Sequence, residues 1–185
     1  MKKISFLFLA ICYSITSLGQ SDDLPANRQH EFRFDAIEAI ASANLEISYE
    51  YIVNKYSGFG GSVTVGLDDD DISNLRFAIT PYYRQYFFNK KDYGARGLFV
   101  EGFGQFSVFE TLESTFNNIV GDSFDVEETT ESAFGLGLAV GQKWVSKNGF
   151  VFEISTGLGR RFGSDIQDVD EFFFRGGILI GYRIF

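Results

Sequence analysis

Residues 172–185 read FFFRGGILIGYRIF, and the alternation in this stretch decides the fold. Side chains of a β-strand point to opposite faces with a period of two. Ile178, Ile180, Tyr182 and Ile184 therefore share one face, and Gly177, Leu179, Gly181 and Arg183 share the other. One face is apolar and aromatic; the other is glycine with a lone charge. The same pattern recurs backwards through the chain.

The clearest earlier case is 44–53, where Leu45, Ile47, Tyr49, Tyr51 and Val53 alternate with Asn44, Glu46, Ser48 and Glu50. Ten residues at period two argue for a strand and against a helix. Strands are likewise predicted over 31–40, 60–67, 75–88, 97–109, 132–145 and 150–161. With the closing stretch they make eight strands joined by sequential hairpins. Pro81 falls within the fourth. Proline removes a ladder hydrogen bond, so a bulge or a locally broken ladder is expected there. The connection 110–131 is the longest, and 146–149 (SKNG) is a tight hairpin turn.

Composition agrees. Of 185 residues, 17% are aromatic, with 22 Phe and 9 Tyr, and there are 20 Gly but only 2 Pro. That balance favours β structure. Residues 1–19 (MKKISFLFLAICYSITSLG) have the charged, apolar and small-residue parts of a secretory leader. The apolar run is about a dozen residues, short of the ~20 a spanning helix needs. Expected organisation is a leader over 1–19, a flexible lead over 20–30 and one eight-stranded antiparallel barrel over 31–185. Cys12, the single cysteine, leaves with the leader, so no disulfide or Cys metal site is expected. Loss of Lys2 and Lys3 from the 16 basic residues leaves 14 against 25 acidic ones, a formal charge of −11. That charge excludes nucleic acid as a natural partner, because phosphate contacts need Lys and Arg.

Alternation does not say which face is inside. A soluble barrel buries its apolar face, whereas a membrane barrel turns it to lipid. Two features favour the membrane arrangement. The polar face is rich in Gly135, Gly137, Gly141, Gly157, Gly159, Gly177 and Gly181, which suit a narrow eight-stranded lumen. That face also carries both signs of charge. Asp35, Glu46, Glu50, Glu101 and Glu153 are expected to meet Arg33, Arg76, Arg84, Lys143, Arg161, Arg175 and Arg183 in the lumen. Arg183 is expected near Glu50 or Asp35 once the last strand pairs with the first. Facing lipid, each midplane Arg or Lys would cost ~2–4 kcal/mol. In a closed lumen the charges must pair to offset desolvation.

The connections segregate. Residues 68–74, 110–131 and 163–171 hold fifteen acidic residues and no Lys or Arg, while the opposite turns hold Lys55, Lys90, Lys91, Arg96 and Lys147. Long loops on one side and short turns on the other follow the membrane-barrel rule. Tyr51, Phe87, Trp144, Phe150 and Tyr182 fall near the short-turn end, where an aromatic girdle belongs.

The leader, the eight alternating segments and the ending GGILIGYRIF resemble small Gram-negative outer-membrane barrel proteins of the OmpA/OmpX type. The hairpin VGQKWVSKNGFVFEISTGLGRRF is similar to those in barrel proteins of the Bacteroidota. The resemblance covers nearly all of 31–185. It implies a monomer in the outer membrane, contact with outer-membrane lipid, and recognition by the barrel-insertion machinery. The usual terminal signal has an aromatic two residues before the last; here that position is Arg183, and the aromatic is Tyr182.

Catalysis is not expected. His30 is the single histidine and lies at the short-turn end, no Gly-x-Ser-x-Gly elbow occurs, and the Gly-x-Gly matches lie in strands rather than before helices. No cofactor or metal is expected. Asp68, Asp69, Asp70 and Asp71 form a possible cation-binding loop, since oxygen ligands suit hard cations, but they lack the EF-hand spacing and also read as a solvated loop. The primary expectation is an outer-membrane barrel with a plugged polar lumen and a structural or surface-interaction role through acidic loops. The alternatives are a secreted lipocalin-like barrel binding an apolar ligand, or a small outer-membrane channel.

Overall fold

The computed structural model describes residues 29–36, 44–67, 75–87, 95–116, 124–146, 148–162 and 171–184. The leader, most of the 20–30 lead and Asp68–Asp71 lie outside the described residues. The strands are β1 (His30–Asp35), β2 (Asn44–Asn54), β3 (Ser57–Gly66), β4 (Leu75–Phe87), β5 (Gly97–Phe116), β6 (Phe124–Val145), β7 (Phe150–Phe162), β8 (Phe172–Arg175) and β9 (Ile178–Ile184). Each pairs antiparallel with its sequence neighbour from β1 to β7. Both β8 and β9 pair with β7, and β9 closes the ring on β1. β8 and β9 are one stave interrupted at Gly176, whose φ of 150° suits glycine, so the fold is a closed eight-stave antiparallel barrel.

The registers fix its dimensions. From Arg183 the ladder partners run through Glu31, Glu50, Gly60, Tyr82, Phe103, Gly137 and Gly159 and return to the closing stave at Phe173, ten residues from the start. With about 3.3 Å per residue and about 4.8 Å between strands, this offset tilts the staves by about 40°. The backbone cylinder is then about 16 Å across, just wide enough for side chains to fill.

The apolar parity faces outward. Leu138, Leu158 and Phe174 are 67%, 66% and 66% exposed, while Glu31, Glu50, Glu153 and Arg33 on the other parity are buried. Outward apolar residues run from Phe77 to Phe87 on β4 and from Phe134 to Trp144 on β6. Ten residue steps at this tilt project to about 25 Å along the axis. Tyr51, Phe87, Trp144, Phe150 and Tyr182 lie on the outer wall at the short-turn end, with Trp144 against Phe152.

At Pro81 the β3 ladder continues through Gly61↔Pro81, but the β5 ladder skips Thr80 and Pro81 without a change of register. The ladder is locally broken, as the missing donor requires. The side chain of Gln105 bridges the gap by donating to Thr80 Oγ1 at 3.2 Å.

Three expectations need correction. The 110–131 connection is largely strand: β5 and β6 pair from Glu110↔Thr130 to Phe116↔Phe124, past the ends of β4 and β7. This ribbon stands beyond the apolar belt, so it needs no apolar face and shows no alternation. β1 ends at Asp35 rather than at 40, and it begins at His30, inside the expected lead. Arg76 does not enter the lumen. A register shift between Leu75 and Phe77 turns it out, where it pairs with Glu110 and is exposed.

Candidate functional site

The lumen is built in three layers. At the short-turn end the buried residues Ile52, Ala95, Val145 and Val151 make an apolar floor. Ala95 holds a left-handed backbone, φ 56°, and its carbonyl accepts a hydrogen bond from Arg183 Nη2 at 2.7 Å. A bulkier αL residue than glycine is uncommon, and here its methyl fills the floor beside Tyr86 and Phe99.

Above the floor lies a charge network. Lys143 Nζ is 2.8 Å from Glu31 Oε1 and 2.8 Å from Glu50 Oε2. Glu50 Oε2 also meets Arg33 Nη2 at 2.9 Å and Arg84 Nη1 at 3.1 Å, and Glu50 Oε1 accepts from Tyr86 Oη at 2.5 Å. Arg33 bonds Glu153 and donates to Tyr82 Oη at 2.6 Å. Arg84 donates from Nε to Glu101 at 2.6 Å and from Nη1 to Glu153 at 2.8 Å. Arg175 grips Glu46 with two bonds of 2.9 and 3.0 Å and reaches Glu101 at 3.3 Å. Arg183 bonds Glu31 at 2.9 Å rather than the anticipated Glu50 or Asp35. Five carboxylates (Glu31, Glu46, Glu50, Glu101, Glu153) thus meet five cations (Arg33, Arg84, Lys143, Arg175, Arg183), and the network is neutral. Burial of such groups is tolerable only when each is paired and hydrogen-bonded.

Of the anticipated lumen charges, Arg33, Glu46, Glu50, Arg84, Glu101, Lys143, Glu153, Arg175 and Arg183 come together here. Asp35 and Arg161 lie higher, lining a cavity of about 370 Å³ above the network. Arg161 sits against the rings of Phe109 and Phe173, at 5.1 and 4.5 Å. Glu31 belongs to the network, although sequence reasoning passed over it; its parity with Arg33 was the available signal.

Aromatic rings share the inner face with the charges. Tyr82, Tyr86, Phe99, Phe103 and Phe173 are buried. The inner glycines are their counterpart: a Cβ on Gly137 would strike Phe103, one on Gly141 would strike Phe99, and one on Gly135 or Gly159 would strike Phe173. Guanidinium groups stack on the same rings, with Arg84 4.6 Å from Tyr82 and 4.3 Å from Phe99.

Carboxylate oxygens of Glu31, Glu50 and Glu153 converge within 4.8 Å of one another, a spacing that suits a metal ion. The Lys143 ammonium is seated among them, so the chain supplies its own cation. His30 bonds the Tyr49 hydroxyl through Nδ1 at 2.8 Å and packs edge-on to Tyr51.

No protein-family model matches the chain, and no curated protein matches it. Among solved structures it is similar to the N-terminal β-barrel domain of Pseudomonas aeruginosa OprF, at 15% identity and a TM-score of 0.45, over 84% of this chain and 96% of that one.

Proposed function

We propose that this chain is an integral outer-membrane β-barrel protein of the small OmpA/OmpX kind, exported by its 1–19 leader and closed to through-flow. Its role is structural or surface-interacting, exercised through the acidic connections at the long-loop end. One observation carries this reading: the molecule is inside-out, with an apolar belt about 25 Å tall outside and a neutral charge network inside. The height equals that of an outer-membrane barrel's apolar band. A soluble lipocalin-like barrel would expose Leu138 and Leu158 to water and bury ten charges in its core. The apolar floor and balanced charges favour a closed lumen over a channel, since neither leaves a continuous wet path.

Cell fractionation with heat-modifiable gel mobility tests the location. The expected result is an outer-membrane protein that migrates differently before and after boiling. A monomer that stays soluble without detergent would sink the proposal. Planar-bilayer recording tests closure, and a steady single-channel conductance would replace the closed lumen with the channel reading.

A further inference from the structure

The cavity of about 370 Å³ lies between the charge network and the long-loop ends of the strands, with the exposed ring of Phe174 on its rim. Its charged lining balances, Asp35, Glu46 and Glu101 against Arg84, Arg161 and Arg175. Arg84 and Arg175 bond Glu101, Arg175 bonds Glu46, and the Arg161 guanidinium lies against the rings of Phe109 and Phe173. A charged ligand would add an unmatched charge to a set that is already neutral, which is costly out of water. A neutral ligand carries no such penalty. Asn44 lines the cavity, is only 6% exposed, and its Oδ1 accepts no hydrogen bond from a described residue. A buried acceptor left without a donor is costly, so this amide is where a ligand gains most. Arg161, engaged through its guanidinium face, also has a buried Nε–H that donates to no described residue.

An acceptor and a donor on one neutral wall suit a ligand group that can both donate and accept. A hydroxyl does both, and it fits Asn44 whichever way the amide is turned. Thr64, Gln105 and Ser155 add hydroxyl and amide groups to the wall, and Phe109 and Leu179 add apolar surface for the C–H face of a ring. Small-molecule sites run from about 300 to 1,000 Å³, so a cavity of about 370 Å³ suits one sugar-sized ring. We propose that this cavity binds a neutral polyhydroxylated ligand of monosaccharide size. One hydroxyl donates to Asn44 Oδ1, another accepts from Arg161 Nε, and ring carbons rest on Phe109 and Leu179. The choice of ligand rests on Asn44 and the neutral lining, and Arg161 adds a contact to it. The cavity is lined entirely by the barrel's own residues, so the proposal stands whether or not the membrane assignment does.

The test uses the purified full chain refolded in a detergent without a sugar headgroup, read by saturation-transfer NMR. The probes are the methyl glycosides of glucose, galactose and mannose, each beside its cationic 2-amino-2-deoxy form and its anionic uronic acid form. The expected result is saturable millimolar binding of at least one neutral glycoside, with its two charged forms weaker by about tenfold or more. The isotope-labelled Asn44 side-chain amide is expected to shift along the same saturation curve, and Asn44→Leu to weaken binding by about three- to tenfold. No saturable signal from any neutral glycoside would overturn the proposal, as would charged forms that bind equally well. So would unchanged affinity in Asn44→Leu when heat-modifiable mobility shows it folded. An unmoved Asn44 amide would overturn it too, and that signal reads the site on the unmodified protein where the variant fails to fold.

Discussion

Glu50 is the carboxylate on which the lumen network converges, and Glu50→Gln isolates its charge. The amide keeps the shape of the side chain, but three cations, Arg33, Arg84 and Lys143, lose the negative charge on the oxygen that all of them approach between 2.8 and 3.1 Å. The network then holds five cations against four carboxylates, and Arg33, Arg84 and Lys143 around the lost charge are all buried. Breaking a buried pair by removing one partner costs about 3–5 kcal/mol, a large share of the roughly 5–15 kcal/mol that holds a domain folded. With a urea slope near 2 kcal/mol per molar, the unfolding midpoint falls by about 1.5–2.5 M. The assay is urea unfolding in lipid vesicles, read by the heat-modifiable gel shift and tryptophan fluorescence. Glu50→Gln combined with Lys143→Met restores neutrality at four against four, so the pair is expected to recover at least ~1 kcal/mol relative to the sum of the single variants. A Glu50→Gln midpoint within experimental error of the parent, or strict additivity in the cycle, would refute the claim that charge balance stabilises this lumen.

Three other variants probe separate layers. Ile47→Arg places a charge midway up the outer belt, where Ile47 is 53% exposed between Phe34 and Val63. In bilayers it is expected to lose ~2–4 kcal/mol against ~0–1 kcal/mol for Tyr182→Arg near the rim, and equal losses in the vesicle unfolding assay would remove the lipid-facing belt. Gly137→Val drives a side chain into Phe103 and toward the Leu158 carbonyl, 2.6 Å from the first added carbon, at about 1–3 kcal/mol. Gly102→Val faces outward with Leu138 3.9 Å away and is expected to be nearly neutral, so similar midpoints for the two would contradict the ring-on-glycine packing. Arg183→Met removes the bonds to Glu31 and to the Ala95 carbonyl. Faster amide exchange is expected at Ala95, which donates to the Lys55 carbonyl; unchanged protection there would show that the floor does not depend on Arg183.

Much of the barrel was legible because an outward apolar belt imposes a strict pattern. Leu45, Ile47, Tyr49, Tyr51 and Val53 alternate without a break, and a one-residue slip would turn every one of them inward. The same rule explains the misses. The ribbon of β5 and β6 beyond Glu110 and Thr130 leaves the belt, loses the apolar requirement, and reads as an acidic loop. Arg76 shares the parity of Arg84, but the irregularity between Leu75 and Phe77 turns it outward, and no residue type there announces it. The partner of Arg183 is its direct ladder neighbour Glu31 on β1, and that register follows from how β9 closes the ring rather than from any local motif. The rings of Phe99 and Phe103 sit on the charged parity beside Glu101, where they blur the alternation instead of sharpening it.

Closure of the ring also explains why the closing stretch has the composition it has. A backbone cylinder about 16 Å across cannot take long side chains from every stave at one height. The chain divides the space by wall. β1, β4 and β5 send Arg33, Tyr82, Arg84, Phe99 and Phe103 across the lumen, while β6, β7 and β9 face them with Gly137, Gly141, Gly157 and Gly181. On the last stave a Cβ at Gly177 would collide with the Asp35 carboxylate, and one at Gly181 would lie 2.7 Å from Arg33 Cα. The glycines of FFFRGGILIGYRIF are therefore the room that β1 needs when β9 pairs with it. Arg183, buried two residues from the end, forms its bond to Glu31 only across that same seam. Closing the ring and completing the charge network are one event. A barrel whose last strand has not paired keeps Glu31 in its lumen without the Arg183 side of its neutralisation, and that penalty opposes the open form.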